Sequence, residues 1–424
     1  MSTPEIKSGA RSALLLLLGI NLFNYIDRYI LAAVEPQIRH TFFSAGDVNA
    51  MAKTGSLNTA FLVTYMISAP IFGILADRFS RWWLVGLGIA VWSLATGATG
   101  LAASFGLIFL ARVFVGVGEG AYGPAAPTIL ADLYPLQVRG RIMSVFFMAI
   151  PVGSALGYAF GGWAGSRFGW RPAFYLVVVP GLILAALCFA MREPRRQQTG
   201  GVVIAKRRDL RADVVTLFKT KSYVVNCVAG AAMTFAIGGL AFWTPAYIYE
   251  FRHQPDLGRI NLNFGAIVVV AGFFATLLGG WVGDKLRVRF PGSYFLVSGI
   301  GMLIGFPFVI AMLFVPFPWA WLAIFIAVFF LFLNPGPANT ALANATHPGV
   351  RATGFAVNIL LIHLFGDAVS PPLIGAIAGH ANMNVAFMVV SVTMGFAGVL
   401  WLWGAKYLPA DTAAVEAATQ TIEI

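Results

Sequence analysis

An ionisable pair, Asp27-Arg28, lies deep inside an apolar run, Ala13–Val34, that is long enough to cross a bilayer. Few features restrict a fold as sharply, because a charge at mid-bilayer costs roughly 2.5–3.5 kcal/mol even on a lenient insertion scale. Asn21, Asn24 and Arg28 fall three and four residues apart, so on a helix they share one face. That face cannot meet lipid; it must look into a protein interior or a water-filled path. The remainder of the chain has to supply that interior.

Apolar runs of similar length recur along all 424 residues, of which 59% are hydrophobic and 11% charged. Soluble domains carry about 25% charged residues, so the chain reads as an all-α integral membrane protein. The expected spans are Ala13–Val34, Leu57–Ala76, Trp83–Ala103, Phe105–Ala131, Ile142–Gly165, Pro172–Met191, Tyr223–Tyr249, Phe264–Gly283, Ser293–Val315, Trp319–Leu342, Gly354–Ala378 and Val385–Trp403. The first run reads as no cleaved signal: it is too long, lacks a small-residue cleavage site and carries Asp27-Arg28. Cys188 and Cys227 sit in apolar context and read as packing residues, with no disulfide, metal or redox spacing around them.

A net charge of +11 would suit nucleic acid, but the basic residues follow membrane topology instead, and no nucleic-acid partner is expected. Of 28 Lys and Arg, 20 fall before, between or after spans on one side. The other side holds six, Arg39, Lys53, Arg167, Arg171, Arg252 and Arg259; Arg28 and Arg112 lie inside spans. This bias predicts both termini in the cytoplasm. The expected layout is a tail (1–12), a six-helix bundle (13–191), a basic linker (192–221), a second six-helix bundle (222–406) and a tail (407–424). The linker can grip anionic lipid heads or simply enforce topology. The stretch from Asp411 is small and polar and predicts a disordered tail.

The two halves rhyme. Gly73-Ile74-Leu75-Ala76-Asp77-Arg78 closes the second span, and Gly279-Gly280-Trp281-Val282-Gly283-Asp284-Lys285 closes the eighth. Val138-Arg139-Gly140 opens the fifth and Val350-Arg351-Ala352 the eleventh. Two pseudo-symmetric bundles around a linker predict a transporter with its site at the midplane between them.

These residues resemble the major facilitator superfamily. Gly73 through Arg81 is similar to its loop signature, and Arg112-Val113-Phe114-Val115-Gly116-Val117-Gly118-Glu119-Gly120 to its fourth-helix motif. Gly153, Gly157, Gly161 and Gly162 resemble its fifth-helix glycine motif, with Tyr158 where many members have proline; Gly169-Trp170-Arg171 is also typical. Within the superfamily, Asn24-Tyr25-Ile26-Asp27-Arg28, Glu119-Gly120-Ala121-Tyr122 and Gly366-Asp367-Ala368-Val369-Ser370-Pro371-Pro372-Leu373-Ile374-Gly375 resemble the spinster-like branch. The resemblance implies alternating access, proton coupling and export of lysolipids or sphingoid phosphates.

Arg112 and Glu119 stand two turns apart on one helix and look into the same space, while Gly116 and Gly120 keep that face low for a helix or ligand. On the functional reading, Arg28 and Arg112 grip an anionic head group with Asn24 and Tyr122 beside them, and Asp27 and Glu119 exchange protons. On the structural reading, the charges are a static bridge between the first and fourth spans. Asp77, Arg78, Arg81 and Asp132, with Asp284 in the second half, read as gating residues, and the resemblance implies a latch for which Gly73 allows close approach. Surface ion pairing worth about 0–1 kcal/mol accounts for them too.

His363 and Asp367, one turn apart, can form a second-half site that relays protons or a hydrogen-bonded brace. Asn334-Pro335-Gly336-Pro337 and Pro371-Pro372 are expected to break the tenth and eleventh spans. Phe61, Tyr65, Phe146, Phe147, Tyr158, Phe235 and Trp243 can line a cavity for an amphiphile.

The leading expectation is a proton-coupled transporter of an amphipathic anion. The alternatives are a symporter or antiporter of a small organic anion, such as a carboxylate or sugar acid, and more distantly a lipid-modifying membrane enzyme. The second half carries almost no deep charge beyond His363 and Asp367, which favours a charged head in the first half and an apolar tail in the second. Nucleophilic catalysis lacks partners for a Ser or Cys; no metal or cofactor is expected. The expected partners are the bilayer, the anion and protons, and the expected setting is a monomer in the cell (inner) membrane.

Overall fold

The computed structural model describes residues 9–194 and 210–420, and among these residues it is helical with no strand. Among the described residues, twelve helices are long and apolar enough to cross a membrane. They are Ala10–Phe42, Ala50–Arg78, Arg81–Leu101, Phe105–Leu133, Val138–Phe168, Trp170–Ala190, Lys221–Phe251, Leu257–Arg287, Ser293–Phe314, Trp319–Asn344, Thr353–His380 and Met383–Gly404. Each overlaps one expected span. Several outrun the apolar stretch that marks them: the first continues beyond Val34 through Glu35, Pro36 and Arg39.

The chain forms two compact units, Met1–Gly201 with Phe242–Val269, and Val202–Ala241 with Val270–Ile424. In the first unit, the first span packs on the fifth, the second on the fourth, and the third on the fourth and sixth. Glycine makes these approaches close. A Cβ at Gly153 would lie 2.6 Å from the Leu22 carbonyl oxygen, and one at Gly157 2.7 Å from that of Ile26. Gly116 and Gly120 seat the second span, since a Cβ at either would lie 2.1 Å from the Thr64 or Ser68 hydroxyl oxygen. Small residues at four-residue spacing let helix backbones meet where burial against lipid offers no net drive. Tyr158 is fully buried against Tyr29 and Phe264, at ring separations of 4.9 and 5.0 Å.

In the second unit, the ninth span packs on the tenth and twelfth. Polar ties cross it: Trp401 Nε1 donates to Asn226 Oδ1 (3.1 Å), and the Tyr223 hydroxyl to the Gly354 carbonyl (2.8 Å). The short helix Leu210–Lys219 adds Leu217 to a cluster with Tyr223, Cys227, Leu342 and Val350. Both cysteines are buried and unpaired.

Both expected breaks occur. The tenth span interrupts at Leu333-Asn334 between helices Trp319–Phe332 and Pro335–Asn344. The eleventh passes through a widened turn, His363–Asp367, in which Gly366 leaves helical geometry (φ −103°, ψ −107°).

The expectation of a disordered tail from Asp411 is corrected, since Leu408–Gln420 is a helix. Asp411 Oδ2 accepts the backbone N–H of Ser222 at 2.8 Å, placing a carboxylate at the start of the seventh span, where unpaired amides favour negative charge. Part of the basic linker, 195–209, and the ends 1–8 and 421–424 lie outside the described residues.

Candidate functional site

Asn24, Asp27, Arg112 and Glu119 are all buried in the first unit, at 2%, 2%, 1% and 1% exposure. The glycine-lined contacts of the fourth span bring Arg112 and Glu119 against the first and second. Glu119 bonds to Arg28 rather than to Arg112: Arg28 Nε and Nη2 both reach Glu119 Oε2, at 2.7 and 2.6 Å. The Arg28 side chain keeps 21% exposure, so this pair opens onto accessible space. Its guanidinium also lies over the rings of Tyr25, Phe61 and Tyr65, at 4.9, 4.8 and 5.4 Å.

Arg112 is held differently. Its guanidinium sits 5.0 Å from the Phe61 centroid, so one ring serves both arginines. It feels the charges of Glu119 and Asp27, yet none of its three nitrogens has a hydrogen-bond partner among the described residues. Asp27 accepts from Thr96 Oγ1 at 3.3 Å through Oδ2 only. Asp27 Oδ1, Glu119 Oε1 and Asn24 Nδ2 are likewise buried and unbonded. Buried polar atoms are nearly always paired, and these exceptions cluster on the first and fourth spans.

One predicted ligand, Tyr122, is already committed. The Tyr122 hydroxyl donates to the Leu17 carbonyl at 3.0 Å, with its ring between Trp92 and Phe146. Asn21 Nδ2 donates to the Phe146 carbonyl at 2.9 Å. Of the aromatic residues expected to line a cavity, Phe147 is 49% exposed, whereas Phe61, Phe146, Phe235 and Trp243 are buried.

The gating group divides. Arg81 is buried and pairs with Asp132 at 2.7 Å, and its Nε donates to Glu193 Oε1 at 2.7 Å. Glu193 Oε2 also accepts from Ser80 Oγ (2.9 Å) and the Trp82 amide (3.4 Å), capping the third helix. Sequence reasoning missed Glu193, whose only signal is its place just after the sixth span. Asp77, Arg78 and Asp284 are exposed, and Asp284 accepts the Tyr294 hydroxyl at 2.7 Å. A Cβ at Gly73 would meet only Pro124 Cβ, at 3.8 Å. That is ordinary contact, so Gly73 is not what a close approach requires here.

A further cluster was not foreseen. Glu35, 1% exposed, accepts from Arg39 Nε (2.9 Å) and Thr54 Oγ1 (2.6 Å), and Arg39 also pairs with Glu250 on the seventh span. Glu35 and Arg39 lie just past the expected first span, which ends at Val34. In the second unit, His363 Nδ1 lies 2.9 and 3.1 Å from the two oxygens of Asp367, on the widened turn. Gly238 of the seventh span packs on that turn, where an added Cβ would lie 2.6 Å from Asp367 Cβ. The pair is half-buried, at 34% and 21% side-chain exposure.

The profile of the Major Facilitator Superfamily matches residues 17–366. The chain is 36% identical to human protein spinster homolog 1, across 89% of this chain and 75% of that protein. It is 33% identical to the mouse sphingosine-1-phosphate transporter SPNS2, across 95% of this chain and 78% of that one. To protein spinster of Drosophila melanogaster it is 32% identical over 85% of its own length, and it spans 60% of the length of that relative. Its fold is similar to the crystal structure of a bacterial homolog of the human lysosomal transporter spinster in an inward-facing, unoccupied conformation. That likeness has a TM-score of 0.78 at 23% identity, across 97% of this chain and 98% of the other.

Proposed function

The chain belongs to the major facilitator superfamily and, within it, to the spinster family of transporters, and from that premise we propose that it carries an amphipathic anion across the membrane in a proton-coupled, alternating-access cycle. It is a multi-pass membrane transporter and not an enzyme. The observation that carries the proposal is Arg112: fully buried, stacked on Phe61 and without a hydrogen bond to either nearby carboxylate. A guanidinium presents planar donors suited to phosphate or carboxylate oxygens. The name of the mouse relative, a sphingosine-1-phosphate transporter, supports a single-chain lipid phosphate or lysolipid as the passenger.

On this reading the head group docks on Arg112, with Arg28 at the accessible edge and Asn24 Nδ2 as a neutral donor. Asp27 Oδ1 and Glu119 Oε1 are the atoms that take up protons. An anion arriving at Arg112 competes with those carboxylates for the same positive charge, and this competition couples proton movement to substrate. His363 and Asp367 form a second polar point, for the distal part of the passenger or for a proton. Arg81, Asp132 and Glu193 brace helix ends whose spacing changes through the cycle. The charge bias of the loops supports cytoplasmic termini.

The test uses purified chain in proteoliposomes with an imposed pH gradient and sphingosine-1-phosphate, a lysophospholipid and a sugar acid as probes. The expected result is gradient-driven flux of the first two, lost in Arg112→Gln. Asp27→Asn should retain exchange of the anion while losing its response to the gradient. Full gradient-driven flux in Asp27→Asn would sink the coupling assignment. Flux of the sugar acid alone would replace the substrate class.

A further inference from the structure

Away from the buried charges, the first unit carries a groove that combines cations with exposed apolar surface. It has a volume of about 730 Å³ and lies where the end of the fifth span meets the start of the eighth. Phe160, Trp163 and Arg167 line one wall; Asp256, Arg259 and Leu262 line the other. Trp163 and Leu262 are 43% and 57% exposed, and both arginines are exposed as well. Among the described residues neither guanidinium joins an ion pair. The one carboxylate in the groove is engaged elsewhere: Asp256 Oδ1 accepts the Arg259 backbone N–H at 3.0 Å and caps the eighth span. Two guanidiniums against one carboxylate leave the groove with net positive charge.

The position of these arginines is unusual for this chain. The sidedness of the basic residues is strong, and Arg167 and Arg259 are two of only six that run against it. They also meet at one place although they come from spans far apart in sequence. Directly beside them, Phe160, Trp163 and Leu262 offer an apolar shelf at the end of two membrane-spanning helices. Tryptophan favours this boundary because its ring is apolar on one side and donates an N–H on the other.

We propose that this groove is a binding site for an anionic phospholipid of the adjoining leaflet, its phosphate held by Arg167 and Arg259 and its acyl chains lying along Phe160, Trp163 and Leu262. Charge complementarity selects the occupant. Guanidiniums bind phosphate through paired N–H donors, whereas a choline head would bring a second cation to an already positive groove. The site is separate from Arg112 and does not depend on the identity of the transported molecule.

Native mass spectrometry of the purified full chain tests it, with phosphatidylglycerol or phosphatidylcholine of matched acyl chains added in detergent. Wild type should retain one phosphatidylglycerol at least tenfold more tightly than phosphatidylcholine. Arg167→Gln/Arg259→Gln should lose that preference and Arg167→Lys/Arg259→Lys should keep most of it, with the single Arg259→Gln variant giving an intermediate loss if the double variant folds poorly. Equal retention of phosphatidylglycerol by the glutamine variants, or no preference in wild type, would reduce the groove to ordinary annular lipid and overturn the proposal. Saturation by millimolar inorganic phosphate, with no gain from acyl chains, would overturn its lipid character.

Discussion

Arg112 and Arg81 are both buried arginines of the first unit, at 1% and 5% exposure, and they are used in opposite ways. Arg81 is bound to Asp132, Glu193 and Thr128, and those partners tie the start of the third helix to the fourth and to the end of the sixth span. Arg112 has two acids within electrostatic range and bonds to neither. A buried cation bonded to two carboxylates, as Arg81 is through Nε and Nη1, is a brace, because removing it strands its partners. A buried cation without them is held at a cost to the fold, which a chain tolerates where a ligand is to bind. The contrast teaches that two equally buried arginines can differ in how they are held: Arg81 bonds through Nε and Nη1 and only its Nη2 has no partner, whereas Arg112 bonds through none of its nitrogens.

The largest effect should come from Arg112→Gln. Losing a buried charge-assisted contact costs about 2–5 kcal/mol, or roughly thirtyfold or more in affinity, while the melting temperature should stay level or rise. Ligand-induced thermal shift with sphingosine-1-phosphate reads both quantities. A melting temperature that falls as far as in the Arg81 variant would erase the contrast between the two residues.

Arg81→Gln should show the reverse pattern. Stability should drop by about 2 kcal/mol, the worth of hydrogen bonds to charged groups, with ligand affinity unchanged in the same assay. A large affinity loss at normal stability would move Arg81 into the binding machinery.

Tyr122→Phe sharpens the boundary between the two classes, since its hydroxyl is committed to the Leu17 carbonyl. Removing it should cost about 1 kcal/mol of stability and leave affinity intact. An affinity loss matching that of Arg112→Gln would return Tyr122 to the ligand set.

The smallest effect belongs to Gly73→Ala, expected within about 0.5 kcal/mol of wild type because its Cβ meets only Pro124. Gly116→Ala provides the opposite case, since its Cβ would collide with Thr64 and the Phe61 carbonyl. Folded yield in detergent separates them; equal losses in both would mean that Gly73 serves a close approach in another conformation.

Much of this fold was legible in the sequence. Each of the twelve spans was found from its own apolar run, because the bilayer sets a length and hydropathy requirement that every segment meets by itself. The breaks in the tenth and eleventh spans were equally local, written in Asn334-Pro335-Gly336-Pro337 and in the prolines after Val369. The first span was drawn short, ending at Val34 with Arg39 counted outside it, whereas the helix runs on through Glu35 and Arg39. Partners from the second and seventh spans keep those charges inside the helix. The tail from Asp411 was misjudged for a similar reason: its helix is anchored by the Ser222 amide, far away in sequence.

The sequence by itself determined that Asp27, Arg28, Arg112 and Glu119 would face a protein interior, because each sits in a run that lipid would otherwise surround. Only the tertiary structure decided that Glu119 would bond to Arg28 and leave Arg112 unbonded. Hydropathy sums along a single helix, whereas a hydrogen bond depends on where two helices cross. Here the crossings follow from glycines that let backbones approach within the reach of a side chain.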